Sequence, residues 1–324
     1  MEQRELGRSG IRTSRVILGC GNFGGIGSSP AFFGRGTNRD EAFRLMDAAW
    51  ELGITTFDTA DAYGGGRSET FIGEWLAKRG PDVRDAIVVA TKTFNPMAEG
   101  ADRGLGRQRI HRQLERSLER LGLDRVGLYL AHDFDGLTPQ EETLEAFDEL
   151  RRAGKIGAAG ASNFDGEQLA EAIEISGLEG LGRYEWVQNS FSLLEQADRE
   201  TVFPVCHEHG LGYTPFSPLA GGWLTGKYRR GYPPPAGSRM TLRPEPYEAY
   251  AHDHVFDAIE ALEREAESRG VSTAALALAW ALAVPEVTAV VVGPNRVEHL
   301  QPVSEALDLA LAPSELDGLS EVFA

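Results

Sequence analysis

The sequence predicts an α/β fold in which eight strands, each followed by helical sequence, close into a TIM-type (β/α)8 barrel. Short apolar segments without polar alternation recur along the chain, as expected for strands that are buried on both faces. Segments with helical periodicity separate them, and this alternation favours parallel pairing through βαβ crossovers. Eight such units close naturally into a barrel, and a doubly wound open sheet is the alternative fold. No linker divides the chain, so we expect residues 1–324 to form a single domain.

The predicted elements begin with a β-hairpin outside the barrel, in which Arg4–Leu6 and Ile11–Thr13 flank the turn Gly7–Gly10. The predicted barrel strands are Val16–Leu18, Ile54–Phe57, Ala86–Ala90, Val126–Ala131, Ile156–Gly160, Tyr184–Gln188, Leu211–Phe216 and Thr288–Val292. The predicted helices are Asp40–Leu52, Arg67–Lys78, Arg107–Leu121, Pro139–Arg152, Asp165–Ile175, Arg199–His209, Asp253–Arg269 and Thr273–Ala283. Two long connections, Gly24–Asn38 and Tyr228–Tyr250, are rich in Gly, Pro and Ser and are expected to be functional or mobile.

The composition limits the classes of function. A net charge of −17 repels phosphate backbones, so we expect no nucleic-acid partner. The two cysteines, Cys20 and Cys206, form no CxxC pair, which indicates a reducing compartment. No apolar signal segment begins the chain, and the longest apolar stretch, Val271–Val284, is too short to span a bilayer. We therefore expect a cytoplasmic protein with no membrane partner, and no metal site is predicted.

Two glycine-rich phosphate motifs occur, and neither has the sequence context that its function requires. Gly19–Gly24 matches GxGxxG, but the residues that follow its third glycine are a poor helix start, which argues against a Rossmann site. Gly221–Lys227 matches GxxxxGK, but Tyr228 stands where the magnesium-binding hydroxyl is needed. Both segments are interpreted as loops, and the backbone N–H groups of the second can still contact a cofactor phosphate.

Four ionisable residues lie at or just after predicted strand ends. Asp58 ends the second barrel strand and is followed by Tyr63 in the same loop, while Lys92 and His132 follow the third and fourth strands. In a barrel these carboxyl ends face one common mouth, where active sites of this fold lie. Each residue alone is more often structural, as a helix cap, a solvated lysine or a packed ring, but the four together predict a catalytic site.

The chemistry of these four residues suits carbonyl reduction, which needs a hydride and a proton. Tyr63 is the predicted general acid, and the Lys92 ammonium is expected to lower its pKa by stabilising the tyrosinate. A carboxylate paired with the lysine, Asp58, would hold it in place and charged. A neutral His132 would donate a hydrogen bond to the carbonyl oxygen and orient it.

The segments around these residues resemble the aldo-keto reductase family. Phe57–Gly64 is similar to the family signature that contains the catalytic Asp and Tyr, and Ala90–Lys92 and Leu128–His132 are similar to its lysine and histidine strands. Gly160–Phe164 and Pro215–Tyr228 resemble the middle region and the cofactor loop. The resemblance extends from about Leu6 to the last helices. It implies a (β/α)8 barrel that binds NADPH or NADP+ across its mouth and reduces a small-molecule carbonyl substrate.

The resemblance also implies which residues bind the cofactor. Ser162, Asn163 and Gln188 would hold the carboxamide, and Phe216 would stack on the nicotinamide. Ser217, Leu219 and the loop Gly221–Lys227 would follow the pyrophosphate, and a helix opening after Gly293 would place Asn295 or Arg296 on a 2′-phosphate, which favours NADPH. The full assigned set is Gly19, Cys20, Gly21, Ser162, Asn163, Gln188, Phe216, Ser217, Leu219, Gly221, Gly222, Lys227, Gly293, Asn295, Arg296 and His299.

Three departures from the family pattern leave details open. Asn295 stands where a Ser or Arg is usual, so the phosphate contact belongs either to it or to Arg296. His299 replaces a common glutamine near the adenine. The glycine at the end of Gly19–Gly21 opens the pocket to a bulkier carbonyl, such as a sugar or an aromatic compound. A cofactor-binding regulatory subunit of the same fold is the alternative function, and neither oligomeric state nor reaction direction is indicated.

Overall fold

The computed structural model describes residues 1–324, and a parallel sheet of eight strands forms its centre. The strands neighbour each other in chain order, and the last strand, β10 (Val290–Val292), pairs with the first barrel strand, β3 (Val16–Gly19). Two backbone hydrogen bonds join the remaining edges: Thr288 N donates to Tyr213 O at 2.8 Å, and Val291 N donates to Pro215 O at 2.9 Å. The sheet therefore closes on itself, and the predicted (β/α)8 barrel is confirmed, whereas the open sheet is excluded.

All eight predicted barrel strands are present, with shifts at their ends. The prediction that Ala86 starts a strand is wrong, because Ala86 ends a short helix, and β5 begins at Val88 and extends to Thr93. Lys92 accordingly lies inside its strand, not after it, whereas Asp58 is the last residue of its strand, as predicted. The strands are β1 Gln3–Glu5, β2 Arg12–Ser14, β3 Val16–Gly19, β4 Thr56–Asp58, β5 Val88–Thr93, β6 Val126–Ala131, β7 Ile156–Ser162, β8 Tyr184–Gln188, β9 Gly212–Tyr213 and β10 Val290–Val292.

The helices form the outer layer. The predicted helix Arg199–His209 is divided at Val202, since Pro204 lies in the first turn of the second part and lacks the N–H needed to continue the first. The α-helices are α1 Arg39–Glu51, α2 Arg67–Ala77, α3 Pro81–Ala86, α4 Arg107–Leu121, α5 Gln140–Arg152, α6 Gly166–Glu179, α7 Asp198–Thr201, α8 Phe203–His209, α9 Arg239–Leu242, α10 Asp253–Ser268, α11 Thr273–Ala283, α12 Gln301–Leu307 and α13 Pro313–Val322. None of them is both long enough and apolar enough to cross a bilayer.

The predicted hairpin closes the amino-terminal end of the barrel. Strands β1 and β2 pair antiparallel, and the fully buried Leu6 that follows β1 enters the barrel. There it packs in an apolar cluster with side chains from four strands: Ala90, Leu128, Leu130, Ala158 and Trp186. The centre of the barrel floor is thus filled with apolar side chains.

Trp186 fills the barrel centre because the neighbouring strand has no side chain at the point of contact. A Cβ built on Gly160 of β7 would lie 1.8 Å from the Trp186 Nε1 atom. The indole is fully buried, and the register of β7 and β8 pairs these two residues directly. Gly160 is therefore a packing requirement of the barrel interior.

Candidate active site

The four predicted catalytic side chains meet at the carboxyl end of the barrel. Lys92 Nζ donates to Asp58 Oδ2 at 2.7 Å and lies 3.4 Å from the Tyr63 hydroxyl. The same hydroxyl lies 3.4 Å from His132 Nε2, and the two rings meet edge to face. Strands β4, β5 and β6 are neighbours in the sheet, so residues from three strand ends surround one phenol oxygen.

The loop after β4 places Tyr63 above Lys92 by extending the hydrogen bonding of the sheet. Thr59 N donates to Ala90 O at 2.8 Å, and Asp61 N donates to Lys92 O at 3.0 Å. The chain then turns through a 3-10 helix, Tyr63–Gly66, in which Gly64 has a φ of 59°. A Cβ on Gly64 would lie 2.7 Å from a backbone oxygen of the adjacent loop, so only glycine fits there.

Lys92 is held as a charged, fully buried ammonium. Burial disfavours its charged form, but Asp58 and Tyr63 outweigh that effect and raise its pKa above the ordinary value. Its Nζ also donates to Thr59 O at 2.9 Å, and Gln188 Nε2 donates to the second oxygen of Asp58 at 3.0 Å. The buried ion pair therefore has hydrogen-bond partners on both sides, as such a pair requires.

The pKa of Tyr63 is raised, whereas the sequence-based expectation is that Lys92 lowers it. Desolvation of its hydroxyl raises the pKa, the Lys92 ammonium lowers it, and the Asp58 carboxylate raises it again. The net direction is upward, because burial outweighs the stabilisation that Lys92 gives to the tyrosinate. The phenol accordingly keeps its proton at neutral pH and is available as a donor.

His132 is neutral in this environment. Burial and the nearby Lys92 ammonium hold its pKa well below the usual range. Its backbone is fixed at both ends, since His132 N donates to Thr93 O at 3.0 Å and Asn163 Nδ2 donates to His132 O at 2.8 Å. Its Nδ1 atom is buried and has no hydrogen-bond partner.

The residues predicted to bind a carboxamide lie on the adjacent part of the rim. Ser162 and Gln188 are the last residues of β7 and β8, and their strands pair at these positions. Asn163 has a φ of 60°, which is uncommon for a residue with a side chain, and Asn163 Nδ2 lies 3.2 Å from Ser162 Oγ. The contact of Gln188 with Asp58 was not predicted, and it ties this part of the rim to the ion pair.

The predicted cofactor loop is an irregular turn with several left-handed residues. Ser217 has a φ of 55°, Ala220 of 45° and Gly222 of 95°, within a segment that contains the 3-10 helix Ala220–Thr225. Lys227 folds back onto this turn, and a Cβ on Gly222 would lie 2.3 Å from its Nζ atom. Strained non-glycine residues cluster at binding sites more often than elsewhere.

Cations without carboxylate partners gather around this loop. Lys227, Arg239 and Arg296 make no ion pair, and burial lowers the pKa of both Lys227 and Arg239. The pKa of His299 is lowered by partial burial and then by Lys227 and Arg296, so these three groups are close together. The buried Ser238 hydroxyl also lacks a partner. Such a set fits the phosphates of a nicotinamide dinucleotide.

Arg239 was missed in the sequence prediction, although a signal was present. Segment 217–244 contains five Lys or Arg residues and no Asp or Glu in a chain of net charge −17. Arg239 lies in this segment and donates to Asn22 Oδ1 at 2.8 Å, which links the loop to the first βα connection. A search for acid-free segments would have found it.

The comparisons with known proteins identify the family of this chain. The model of the aldo/keto reductase family matches residues 15–323, nearly the whole chain. The chain belongs to the aldo/keto reductase family. A protein described as an uncharacterised oxidoreductase, YrpG, from Bacillus subtilis strain 168 is 36% identical over 332 residues, which cover 100% of this chain and 96% of that protein.

Two further relatives of this chain have more specific names. A probable voltage-gated potassium channel subunit beta from rice (Oryza sativa subsp. japonica) is 33% identical, with 99% of this chain and 96% of the relative covered. An L-glyceraldehyde 3-phosphate reductase from Escherichia coli strain K12 is 31% identical, with 98% and 90% covered. The family thus includes both an enzyme and a protein named as a channel subunit at similar distance from this chain.

The remaining predicted residues of the aldo/keto reductase site lie along β3 and β10. Gly19 packs against Val291, Cys20 is fully buried, and Gly21 faces the Tyr63 ring at ordinary contact distance, 3.6 Å from a built Cβ. No helix opens at Gly24, which excludes a Rossmann motif there. The predicted helix opening after Gly293 is corrected as well: Val297–Leu300 is a 3-10 helix, and α12 begins at Gln301.

Proposed function

We propose that this protein is an NADPH-dependent oxidoreductase that reduces an aldehyde or a ketone, with Tyr63 as the proton donor. The observation that carries the proposal is the position of the Tyr63 hydroxyl, 3.4 Å from both Lys92 Nζ and His132 Nε2. Reduced nicotinamide supplies a hydride to the carbonyl carbon when it is bound. The chain must then bind and orient the carbonyl and deliver one proton to its oxygen.

The hydrogen bonds around Tyr63 support its role as a donor. Lys92 has only donors, so it donates to the phenol oxygen. A buried N–H without a partner is rarer than a bare acceptor, and His132 Nδ1 has no partner, which favours a proton on Nε2. With two N–H groups directed at its oxygen, the Tyr63 O–H is left to donate to the substrate oxygen. The N–H groups of Lys92 and His132 would also stabilise the negative charge that develops on the Tyr63 oxygen as its proton leaves.

Two residue clusters would bind the cofactor, one at the rim beside Asp58 and one around the loop Gly221–Lys227, and we call them the inner and outer ends of the cofactor groove. At the inner end, Ser162, Asn163 and Gln188 would hold the carboxamide, and Phe216 would stack on the nicotinamide. At the outer end, Lys227, Arg239 and Arg296 would hold the phosphates. An arginine beside His299 at this outer end is the reason to prefer NADPH to NADH, because a 2′-phosphate distinguishes them.

The relatives support two alternatives within this proposal. The Escherichia coli relative is named for a phosphorylated aldehyde, so a small aldehyde is the first substrate class to test. The rice relative is named as a potassium channel subunit, so the rival function is a cofactor-binding subunit with little turnover. The full Asp58–Tyr63–Lys92–His132 arrangement favours the enzyme.

The deciding experiment follows the oxidation of NADPH and NADH with a panel of aldehydes, ketones and sugars. Wild-type turnover with NADPH is expected to fall by about 10²–10⁴-fold in Tyr63→Phe. Binding of NADPH to Tyr63→Phe, followed by quenching of protein fluorescence, is expected to match the wild type. Turnover of Tyr63→Phe at the wild-type rate would overturn the donor assignment. Tight NADPH binding with no turnover on any carbonyl would favour the regulatory subunit.

A further inference from the structure

Two segments at the mouth of the barrel lack acidic residues. The chain has 49 Asp and Glu residues among 324, yet segments 19–38 and 217–244 contain none. These segments are the first βα connection and the long loop that carries Lys227 and Arg239, and both border the Tyr63 hydroxyl or the groove beside it. Segments without acids on an otherwise acidic protein repel an anion less than the rest of its surface does.

Two arginines of these segments converge on one aromatic ring. The guanidinium carbon of Arg35 lies 5.8 Å from the centre of the Phe32 ring, and that of Arg243 lies 5.9 Å from it. Neither Arg35 nor Arg243 makes an ion pair. By contrast, two other arginines of segment 217–244 pair with acids of α10: Arg229 with Glu263, and Arg230 with Asp253 and Asp257. Both guanidinium groups are therefore free to bind an anion that reaches this ring.

The position of Arg243 relative to Tyr63 separates it from the cofactor cations. Its guanidinium lies 2.9 Å from a Cβ built on Gly27, and Gly27 N donates to Gly21 O at 2.7 Å. Gly21 in turn faces the Tyr63 ring, and Gly64 N, next to Tyr63, contacts Gly27 O at 3.4 Å. Arg243 therefore lies over the loops that flank the proton donor.

Lys227 and Arg296 lie elsewhere, at the His299 end of the groove, where a dinucleotide would place its phosphates. Arg239 lies between the two ends: it donates to Asn22 and is close enough to Arg243 for the two like charges to interact. The cofactor phosphates thus account for Lys227, Arg239 and Arg296, and they leave Arg35 and Arg243 without a ligand.

We propose that Arg243 and Arg35, around Phe32, form a subsite for an anionic group of the carbonyl substrate. The substrate class is then an aldehyde or ketone that carries a phosphate or a carboxylate a few bonds from its carbonyl carbon. This inference rests on the proposed reductase function. Guanidinium groups bind phosphate and carboxylate through paired N–H donors, which fixes orientation as well as charge.

Matched substrates test the subsite by turnover. Glycolaldehyde phosphate is compared with glycolaldehyde, and succinic semialdehyde with butanal, using wild type, Arg243→Gln and Arg35→Gln. We expect kcat/KM for the charged member of each pair to fall about 10- to 100-fold in Arg243→Gln, while the neutral member and the affinity for NADPH stay unchanged. Arg229→Gln makes the same charge change in the same loop at a paired residue and is expected to have no effect.

A binding measurement keeps the subsite separate from the reductase proposal. Propyl phosphate, which has no carbonyl, is titrated calorimetrically into protein saturated with NADP+, so that the cofactor phosphate sites are filled. We expect binding to the wild type and to Arg229→Gln, and weaker binding to Arg243→Gln. Equal binding to all variants, a uniform loss of activity on charged and neutral substrates, or a loss of NADPH affinity in Arg243→Gln would overturn the subsite. Absence of turnover with intact binding would overturn only the reductase function.

Discussion

The ammonium of Lys92 lies 2.7 Å from the carboxylate of Asp58, and the two side chains are 0% and 4% exposed. Lys92→Met would leave that carboxylate buried without a counter-charge, which is expected to cost about 3–5 kcal/mol of the free energy of unfolding. The double variant Asp58→Asn/Lys92→Met removes both charges and should recover part of this loss. Chemical denaturation measures both values. An equal loss in the single and double variants would show that packing, and not the unpaired charge, determines the cost.

Arg296 is expected to select NADPH through its 2′-phosphate. Replacing it with Ala should lower the ratio of kcat/KM for NADPH to that for NADH about 10- to 100-fold, because one charged hydrogen-bonding group is lost. NADH kinetics should change little. Arg264→Ala, an exposed arginine of α10 outside the groove, is the matched control. An unchanged ratio in Arg296→Ala would assign the phosphate contact to Asn295 or another residue.

Gly21 is expected to set the size of the substrate. Its backbone is not left-handed, and a built Cβ lies 3.6 Å from the Tyr63 ring, so a Cβ is accepted there at ordinary contact distance. Gly21→Trp should place an indole beside the proton donor and reduce kcat/KM for aromatic ketones far more than for small aldehydes. Gly21→Ala is the control and should change neither. Equal effects of the Trp variant on both substrate sizes would contradict this role.

Asp61 is expected to make the stability depend on pH near neutrality. It is fully buried, Thr93 Oγ1 and Gln113 Nε2 donate to one of its oxygens, and the other oxygen has no partner. Burial and the charge of Glu69 raise its pKa to about 7, although Arg109 opposes them. In the unfolded chain the same proton is lost near pH 4. The folded state therefore binds the extra proton, and the stability that it gives is lost as the pH rises from about 4 to 7.

The Asp61→Asn variant tests this pH dependence of stability, because the asparagine side chain does not ionise. Between pH 5 and pH 8 the wild type should lose about 2–3 kcal/mol of unfolding free energy relative to Asp61→Asn. Asp124→Asn, at an exposed residue without an ion pair, should follow the wild-type curve. Parallel curves for wild type and Asp61→Asn would mean that this carboxyl does not titrate in the range.

Gly160 and Gly177 form a matched pair for testing the interior packing. Gly160→Ala forces a methyl group to within 1.8 Å of the Trp186 indole, and overpacking of this kind is expected to cost about 1–3 kcal/mol or more. Gly177→Ala lies inside α6 with open space around it and should stabilise the protein by about 0.5–1 kcal/mol. Thermal or chemical unfolding compares the two. A neutral Gly160→Ala would show that the indole can move aside.

The sequence was most informative where one local pattern determines the structure. Helix α4 was predicted at its observed bounds, because its apolar positions recur with helical spacing and Gly122 ends it in a left-handed C-cap. The four candidate catalytic residues could also be predicted, because each lies at or near the end of a strand with a clear apolar pattern. In contrast, Ala86 was placed in a strand because its apolar neighbours continue without interruption, and Pro81 at the start of a short helix was overlooked.

Individual contacts between side chains far apart in the sequence could not be predicted from the sequence. Gln188 donates to Asp58 across 130 positions of chain, and no local pattern marks such a pair. The sequence marks the segment of Arg239 and Arg243 as free of acids, but its position over the barrel mouth depends on tertiary contacts such as that of Arg239 with Asn22. The direction of the Tyr63 pKa depends on a balance between burial and two charges, which the residue types alone do not determine.

The closed floor of the barrel, where Leu6 and Trp186 fill the interior, has a kinetic consequence. With no exit at that end, the dinucleotide and the carbonyl compound share one entrance, and a substrate above Tyr63 would cover the inner end of the groove beneath it. Steady-state kinetics should therefore be sequential with the dinucleotide binding first and leaving last. The alcohol would then inhibit noncompetitively against NADPH, and NADP+ would inhibit competitively.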